Sequence, residues 1–120
     1  MRKRKNPTAN KRQRIYNKTD GRCAYCGCEI NLRNMQIDHV IPKSRGGSSD
    51  EKNLLPVCRS CNHRKGSSTL EYFRHEVELF PAVLMRHSVT YRNAVRFGLV
   101  IPNQHEIKFY FEEMRDEKDD

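Results

Sequence analysis

The chain has 120 residues, 36 % hydrophobic and 32 % charged, which fits one small domain without a large core. A net charge of +8 favours a polyanionic partner, most often nucleic acid, over a surface that is basic only for solubility. No run of 18 apolar residues is present, and the first residues lack an apolar segment. We therefore expect no membrane span, no secretory signal and a location in the cytosol.

The positive charge is concentrated in the N-terminal part of the chain. Residues 1–22 contain nine Lys or Arg and one acid, Asp20, whereas the last nine residues contain six acids and two bases. We expect a basic arm and then a short helix, with Asn6 as its cap, Pro7 at its first position and an end near Lys18. The arm would add sequence-independent, salt-sensitive affinity for nucleic acid.

The middle of the chain predicts two strands and a helix around a polar loop. Residues 34–41 alternate in polarity and include β-branched side chains, which indicates a strand. Residues 42–53 form the polar loop, and residues 54–57 predict a second strand. Pro56 lies within that strand and favours a position at a sheet edge, because proline lacks an N–H group. A helix is expected from about residue 58 to 65.

The C-terminal part, residues 67–120, predicts a mainly helical extension with an acidic tail. We expect one helix from Leu70 to about Leu79 and another over residues 82–97, with Gly98 at its end.

Residues 104–117 fit both a strand and a helix. Asn103 with Glu106 three residues later resembles a capping box, which favours the helix. Four aromatic residues are expected to form core rather than base-stacking platforms: Tyr91, Phe97, Phe109 and Phe111.

Two Cys-x-x-Cys pairs, Cys23 with Cys26 and Cys58 with Cys61, are separated by 31 residues. Disulfides are unexpected in a reducing compartment, and paired spacing argues against four cysteines that act only as apolar side chains. Four thiolates suit tetrahedral Zn²⁺, and a site with four protein ligands is structural rather than catalytic. Cys28 falls outside this pattern and is expected to be a spare thiol.

The residues between and after the cysteine pairs supply the groups that phosphodiester hydrolysis requires. Asp38 offers a carboxylate and Asn62 an amide oxygen, both suited to a hard divalent metal. His39 can accept a proton near neutral pH. Three cations are candidates for contacts with DNA phosphates: Arg45, Arg64 and Lys65.

Helix geometry supports this grouping. Neighbouring helix residues point about 100° apart, so Cys61 can face zinc while Asn62 faces away from it. Lys65, three residues on, lies on nearly the same face as Asn62. Asp38 and His39 present a difficulty, because neighbours on a regular strand point to opposite faces. For both to reach one phosphate, the strand must twist, end or bulge there.

The stretch from residue 23 to 66 resembles the HNH, or ββα-metal, endonuclease module in CAYC, IDHVIPKSRGG, Asn53 and CRSCNHRKG. The spacings of 14 residues from His39 to Asn53 and 9 from Asn53 to Asn62 are similar to those of the HNH domain of RNA-guided CRISPR nucleases. The cysteine pairs and small size resemble free-standing phage and bacterial HNH endonucleases.

The resemblance implies an α+β fold with a small ββα-metal core, which a four-cysteine zinc site stabilises. Together with the charge pattern and the predicted helices, it divides the chain into three expected parts: a basic arm with a short helix over residues 1–22, the nuclease core over 23–66 and a mainly helical extension with an acidic tail over 67–120.

The resemblance further implies a role for each matching position. His39 would be the general base that activates water, and Asp38 would bind the catalytic metal, Mg²⁺ or Mn²⁺. Asn62 would be the second protein ligand, and Asn53 would hold the loop and orient His39. Many members carry His where this chain has Asn62, which favours a hard Mg²⁺ site over a His-rich one. The adjacent His63 stays open as the alternative ligand.

The function implied by the resemblance is metal-dependent hydrolysis of DNA, by nicking or by double-strand cleavage. Two alternatives stay open: a zinc-stapled DNA-binding module without catalysis, and a component of phage DNA packaging that is active only with a partner. Because one active site cuts one strand per visit, a duplex break would require a homodimer or two events.

Overall fold

The computed structural model describes residues 7–102 and 106–119. Its elements are α1 (Pro7–Asn17), β1 (Gln36–His39), β2 (Leu54–Val57), α2 (Arg59–Lys65), α3 (Leu70–Glu78), α4 (Phe80–His87), α5 (Val89–Arg96) and α6 (Tyr110–Asp119). Short 3₁₀ turns lie at Lys43–Arg45 and Glu51–Asn53. The described residues combine helices with a small two-stranded sheet, which confirms the predicted α+β class. Residues 71–107 form one compact unit, and the remaining described residues form another.

The strands β1 and β2 are antiparallel and lead directly into α2, which gives the predicted ββα order. Every residue of β2 is buried, and Pro56 pairs with Ile37. The carbonyl oxygen of Pro56 accepts a hydrogen bond from the backbone N–H of Ala24 at 2.8 Å, on the side away from β1. The N and carbonyl of one strand residue face the same side, so the missing N–H of Pro56 costs no bond with β1. The edge position predicted from Pro56 is confirmed.

The helix α1 packs on this core through one buried side chain and several bases. Ile15 is fully buried. Arg12 donates through Nη2 to the carbonyl oxygen of Met35 at 2.6 Å, and Lys18 donates through Nζ to that of Leu54 at 2.8 Å. The bounds of α1 agree with the helix predicted from Pro7 to about Lys18.

The last described segment returns to the first cysteine pair. The backbone N–H of Tyr110 donates to the carbonyl oxygen of Tyr25 at 3.1 Å, and that of Phe111 donates to Ala24 at 2.9 Å. Phe109 is 2 % exposed, so its predicted place in the core is confirmed. Residues 108–119 therefore belong with the core, although sequence analysis treats residues 67–120 as one extension.

The helix α6 begins at Tyr110, later than the predicted start near residue 104. Its start uses half of a capping box, because the side chain of Glu112 accepts a hydrogen bond from the backbone N–H of Phe109 at 2.8 Å. Asn103, the predicted cap, lies outside the described residues.

Within the unit of residues 71–107, the single helix predicted over residues 82–97 is wrong. Ser88 has extended backbone angles and ends α4, and its side chain caps α5 by accepting from the N–H of Tyr91 at 3.0 Å. A serine that offers this cap favours a new helix start over continuation. Phe97 is 80 % exposed and so is not a core residue, contrary to expectation.

Candidate nuclease site

The four paired cysteines come together in space. The Sγ atoms of Cys23, Cys26, Cys58 and Cys61 all lie within 4.8 Å of one another, and those of Cys26 and Cys58 are 3.8 Å apart. Four thiolates bound 2.3 Å from a tetrahedral Zn²⁺ would have S–S separations of about 3.8 Å. The cluster therefore fits zinc in donor chemistry and in size. Cys28 is exposed and lies outside the cluster, as predicted.

Local backbone geometry holds both halves of the cluster. The N–H of Gly27 donates to the carbonyl oxygen of Cys23 at 2.9 Å, and Gly27 has a φ of +80°. A Cβ at Gly27 would also lie 3.3 Å from the ring of Tyr110, so glycine fits this turn on two counts. In the second half, Cys58 is the N-cap of α2 and its Sγ accepts from the N–H of Cys61 at 3.3 Å.

The environment of Cys23 favours the thiolate. A hydrogen bond from Cys61, followed by weaker effects of backbone N–H groups, lowers the pKa of Cys23 to about 4, although burial opposes this shift. The thiolate is the form that binds metal, so the direction of this shift suits a metal ligand.

Three of the predicted catalytic residues line one cavity of about 320 Å³. Asp38 and His39 contribute from the end of β1, and Asn62 contributes from α2. The strand ends at His39, which resolves the difficulty that neighbouring strand residues point to opposite faces. His63 is exposed, and the residue of this pair that lines the cavity is Asn62.

Asp38 is buried, 4 % exposed, and its carboxylate has two donors. The hydroxyl of Tyr25 donates to Oδ2 at 2.6 Å, and the ammonium of Lys65 lies 3.1 Å from the same oxygen. Lys65 lies 3.4 Å from Oδ1 and also donates to the carbonyl oxygen of His39 at 3.1 Å. A buried ion pair with added hydrogen bonds holds the Asp-His peptide in one geometry.

This arrangement changes the expected role of Lys65. A direct phosphate contact requires an exposed ammonium, but the side chain of Lys65 is 0 % exposed and is held by Asp38 and His39. Lys65 shares a helix face with Asn62, and that face packs against the end of β1.

Asn53 pins the loop that follows His39. Its Nδ2 donates to the carbonyl oxygens of Ile41 at 3.0 Å and Ser48 at 2.7 Å, while its Oδ1 accepts from the N–H of Ile41 at 2.9 Å. Within this loop a Cβ at Gly47 would lie 1.6 Å from the carbonyl oxygen of Ile41, so only glycine fits there. The geometry suits the loop-holding role predicted for Asn53.

Two further contacts describe the surroundings of His39 and Asn62. The Nε2 atom of His39 lies 3.4 Å from the hydroxyl of Ser49. The Nδ2 atom of Asn62 donates to Oε1 of Gln36 at 3.4 Å, which turns the Asn62 carbonyl oxygen away from Gln36. Sequence reasoning missed Gln36, although its position two residues before Asp38 on the same strand face is a usable signal.

The cations near the cavity differ from those predicted. Arg45 is exposed, and its Nε donates to the carbonyl oxygen of Ser67, a cavity residue, at 3.0 Å. Arg64 is exposed on α2. Lys43 is exposed and lines the cavity, and its place beside Pro42 in the polar loop could have drawn attention to it.

The described bases of residues 1–22 all contact the protein itself. The arm expected to bind nucleic acid precedes α1 and lies outside the described residues. The described bases that follow it donate to acceptors of the folded core. The pairs are Lys11 with Ser49, Arg12 with Met35, Arg14 with Glu51, Lys18 with Leu54 and Arg22 with Gly27.

The fold and its cysteine cluster define a small ββα domain built around a metal-binding knuckle. Residues 23–78 match the family model of the HNH endonuclease, so this segment is an HNH endonuclease domain.

Similar sequences occur in two proteins named as endonucleases and in a third bacterial protein. The CRISPR-associated endonuclease Cas9 of Corynebacterium diphtheriae is 43 % identical over 47 residues, 38 % of this chain and 4 % of that protein. The Cas9 of Actinomyces naeslundii is 38 % identical over 47 residues, again 38 % and 4 % of the two chains. The Septu protein PtuB of Bacillus thuringiensis is 32 % identical over 53 residues, 41 % and 21 % of the two chains.

The crystal structure of the Type II-C Cas9 from Actinomyces naeslundii shares the fold, with a TM-score of 0.55 and 23 % identity over 64 % of this chain and 8 % of that one. The chain thus spans only a small part of the length of these relatives. Among the helices within the described ranges, none has the length and apolar character needed to cross a membrane.

Proposed function

We propose that the chain is a metal-dependent HNH endonuclease that hydrolyses phosphodiester bonds of DNA. The observation that carries this proposal is that Asp38, His39 and Asn62 line one cavity beside the four-cysteine cluster. A DNA-binding module without catalysis would have no need of a general base next to two hard metal ligands.

The donor set suits a hard divalent metal, Mg²⁺ or Mn²⁺. Asp38 offers Oδ1 and Asn62 offers its amide oxygen, and His63 is the less suitable alternative because it is exposed away from the cavity lining. Mg²⁺ usually keeps several waters and takes one or two protein ligands together with substrate phosphate. A metal held there would supply positive charge at the scissile phosphate and at the leaving oxygen.

The side chains of this chain then perform the remaining steps. His39 accepts a proton from the water that attacks phosphorus in line with the leaving 3′ oxygen. Asn53 holds the loop after His39 and so limits the movement of the imidazole. Lys65 holds Asp38 and the His39 carbonyl from the buried side. The products carry 5′-phosphate and 3′-hydroxyl ends.

DNA would approach the open side of the cavity, where Lys43 is exposed and Arg45 and Arg64 lie nearby on the loop and on α2. These cations would bind phosphates and make the affinity fall with rising salt. One cavity serves one strand, so a duplex break would need two chains or two visits. The bacterial sources of the relatives make a bacterium or its phage the expected setting.

The proposal is tested by incubating supercoiled plasmid with the zinc-loaded protein and Mg²⁺ or Mn²⁺, beside samples with EDTA and with His39→Ala. Metal-dependent conversion to nicked or linear DNA, lost in both controls, would support it. Binding without cleavage would favour the zinc-stapled binding module. Cleavage that begins only when a phage packaging protein is added would favour the partner-dependent component.

A further inference from the structure

Tyr25 lies in sequence between Cys23 and Cys26 of the cysteine cluster, yet its hydroxyl reaches Asp38, a residue that lines the cavity. The residue is 4 % exposed, and its hydroxyl donates to Oδ2 of Asp38 at 2.6 Å. A tyrosine hydroxyl carries its proton at neutral pH, and an ionised carboxylate can only accept, so Tyr25 is the donor in this hydrogen bond.

This hydrogen bond gives the two carboxylate oxygens of Asp38 different environments. Oδ2 accepts from Tyr25 and is 3.1 Å from the Lys65 ammonium. Oδ1 has the longer contact of 3.4 Å with Lys65. Two donors on one oxygen fix the rotation of the carboxylate and leave Oδ1 as the better oxygen for a metal.

The ring of Tyr25 is held from the C-terminal side. Its centroid lies 5.0 Å from that of Phe109 and 6.1 Å from that of Phe111. The backbone of the same residue accepts a hydrogen bond from Tyr110 at 3.1 Å. Residues 109–111 therefore brace the tyrosine that holds the carboxylate.

We propose that Tyr25 is a positioning residue, which orients Asp38 for the catalytic metal and links the cysteine cluster and residues 109–111 to that orientation. The inference rests on the proposed function, because it assumes that Asp38 binds the metal. Outer-shell partners of this kind typically contribute about 10- to 100-fold to metal affinity.

The test is a Mn²⁺ titration, followed by electron paramagnetic resonance, of full-length zinc-loaded protein bound to a DNA duplex. His39→Ala is used as the parent so that no turnover occurs. Adding Tyr25→Phe should weaken Mn²⁺ binding about 10-fold or more, with one zinc retained and unchanged duplex affinity. The matched control is Tyr16→Phe, which removes a hydroxyl that donates to the carbonyl oxygen of Ile30, and it should leave Mn²⁺ binding unchanged.

A second variant covers the case in which Tyr25→Phe fails to fold. Phe111→Leu keeps the hydroxyl but removes a ring that packs on Tyr25, and it should weaken Mn²⁺ binding by a smaller factor. In addition, Tyr25→Phe should not lower the residual cleavage rate of Asp38→Ala, because it acts through Asp38.

The outcomes separate the two proposals. Suppose that the His39→Ala parent binds Mn²⁺ and that the original protein, which keeps His39, cleaves DNA. Identical Mn²⁺ binding curves for Tyr25→Phe and Tyr16→Phe then overturn the positioning role alone. The positioning role is also overturned if Tyr25→Phe lowers the cleavage rate by the same factor in the original protein and in Asp38→Ala. If the His39→Ala parent binds no Mn²⁺ and the original protein cleaves no DNA, both the proposed function and this inference are overturned.

Discussion

The cysteine cluster and the catalytic cavity are both suited to metal ions, but the protein surrounds them to different degrees. The cluster supplies four sulfurs within 4.8 Å of one another, so its coordination is complete without water or substrate. In the proposed function, the cavity supplies one carboxylate and one amide, Asp38 and Asn62, and a metal there would need water and phosphate to complete its coordination. The comparison teaches that one site builds the fold, whereas the other depends on that fold and on its substrate.

The two regions are connected through neighbouring residues, but each uses different side chains. Substitutions can therefore separate their roles. Cys61 and Asn62 are neighbours in α2, and Tyr25 connects the first cysteine pair with Asp38. Loss of the cluster should remove both fold and activity, whereas loss of the His39 side chain should remove activity alone.

The largest effect is expected from Cys58→Ser, which removes a ligand of the cluster. Structural zinc contributes about 10–16 kcal/mol of apparent binding energy to small domains, comparable with or more than their entire stability. We expect the domain of residues 23–66 to unfold, as measured by circular dichroism and zinc content. Cys28→Ser is the matched control, because it changes an exposed thiol that contacts Cys26 and Cys58 without being one of the four clustered cysteines. A well-folded, zinc-free Cys58→Ser protein would contradict the assignment.

The second-largest effect is expected on the rate of DNA cleavage, without any change in the fold. His39→Ala removes the proposed base, and loss of general base catalysis typically lowers rates about 100- to 10,000-fold. Single-turnover cleavage at saturating protein would measure this loss, with zinc content and duplex affinity unchanged. His63→Ala, at an exposed histidine in the same domain, should cut at nearly the original rate, and an equal loss in both variants would argue against His39 as the base.

Lys65→Met should lower stability, because it leaves the Asp38 carboxylate buried without its cation. Removing one partner of a buried pair typically costs about 3–5 kcal/mol. Thermal or urea unfolding would measure the change. Arg14→Met breaks an exposed pair, in which the side chains of Arg14 and Glu51 are 57 % and 36 % exposed, and should change stability little. A Lys65→Met protein as stable as the original would refute the structural role.

The smallest effect is expected for Lys43→Ala, at the exposed rim of the cavity. Loss of one phosphate contact should weaken binding similarly for all DNA sequences and reduce the salt slope of log K by about 1. Binding to a duplex at several salt concentrations measures the slope. Lys52→Ala, at an exposed lysine of the Glu51–Asn53 turn, is the control, and equal slopes for the two variants would exclude a specific contact by Lys43.

The core of the fold was predictable because each element carries a local signal. Paired cysteines, the β-branched run before His39 and Pro56 at an edge predict the ββα order that the structure has. The helix break at Ser88 was missed because its signal is one capping side chain in an otherwise helical sequence.

The partners of charged groups could not be predicted, because they depend on tertiary contacts. Helix geometry placed Lys65 on the face of Asn62 but could not reveal that the buried Asp38 lies opposite that face. Charge counting could not reveal that Arg12 and Lys18 donate to carbonyl oxygens of the folded chain. The link from Tyr25 to Asp38 joins residues 13 positions apart and has no sequence pattern of its own.

The most direct test of two metals with separate roles is a brief EDTA treatment of the zinc-loaded protein, with zinc content, circular dichroism and plasmid cleavage measured on the same sample. We predict that cleavage stops while one zinc per chain and the fold persist, and that added Mg²⁺ or Mn²⁺ restores cleavage. Cleavage that survives EDTA, or that is lost only in step with zinc, would contradict the account.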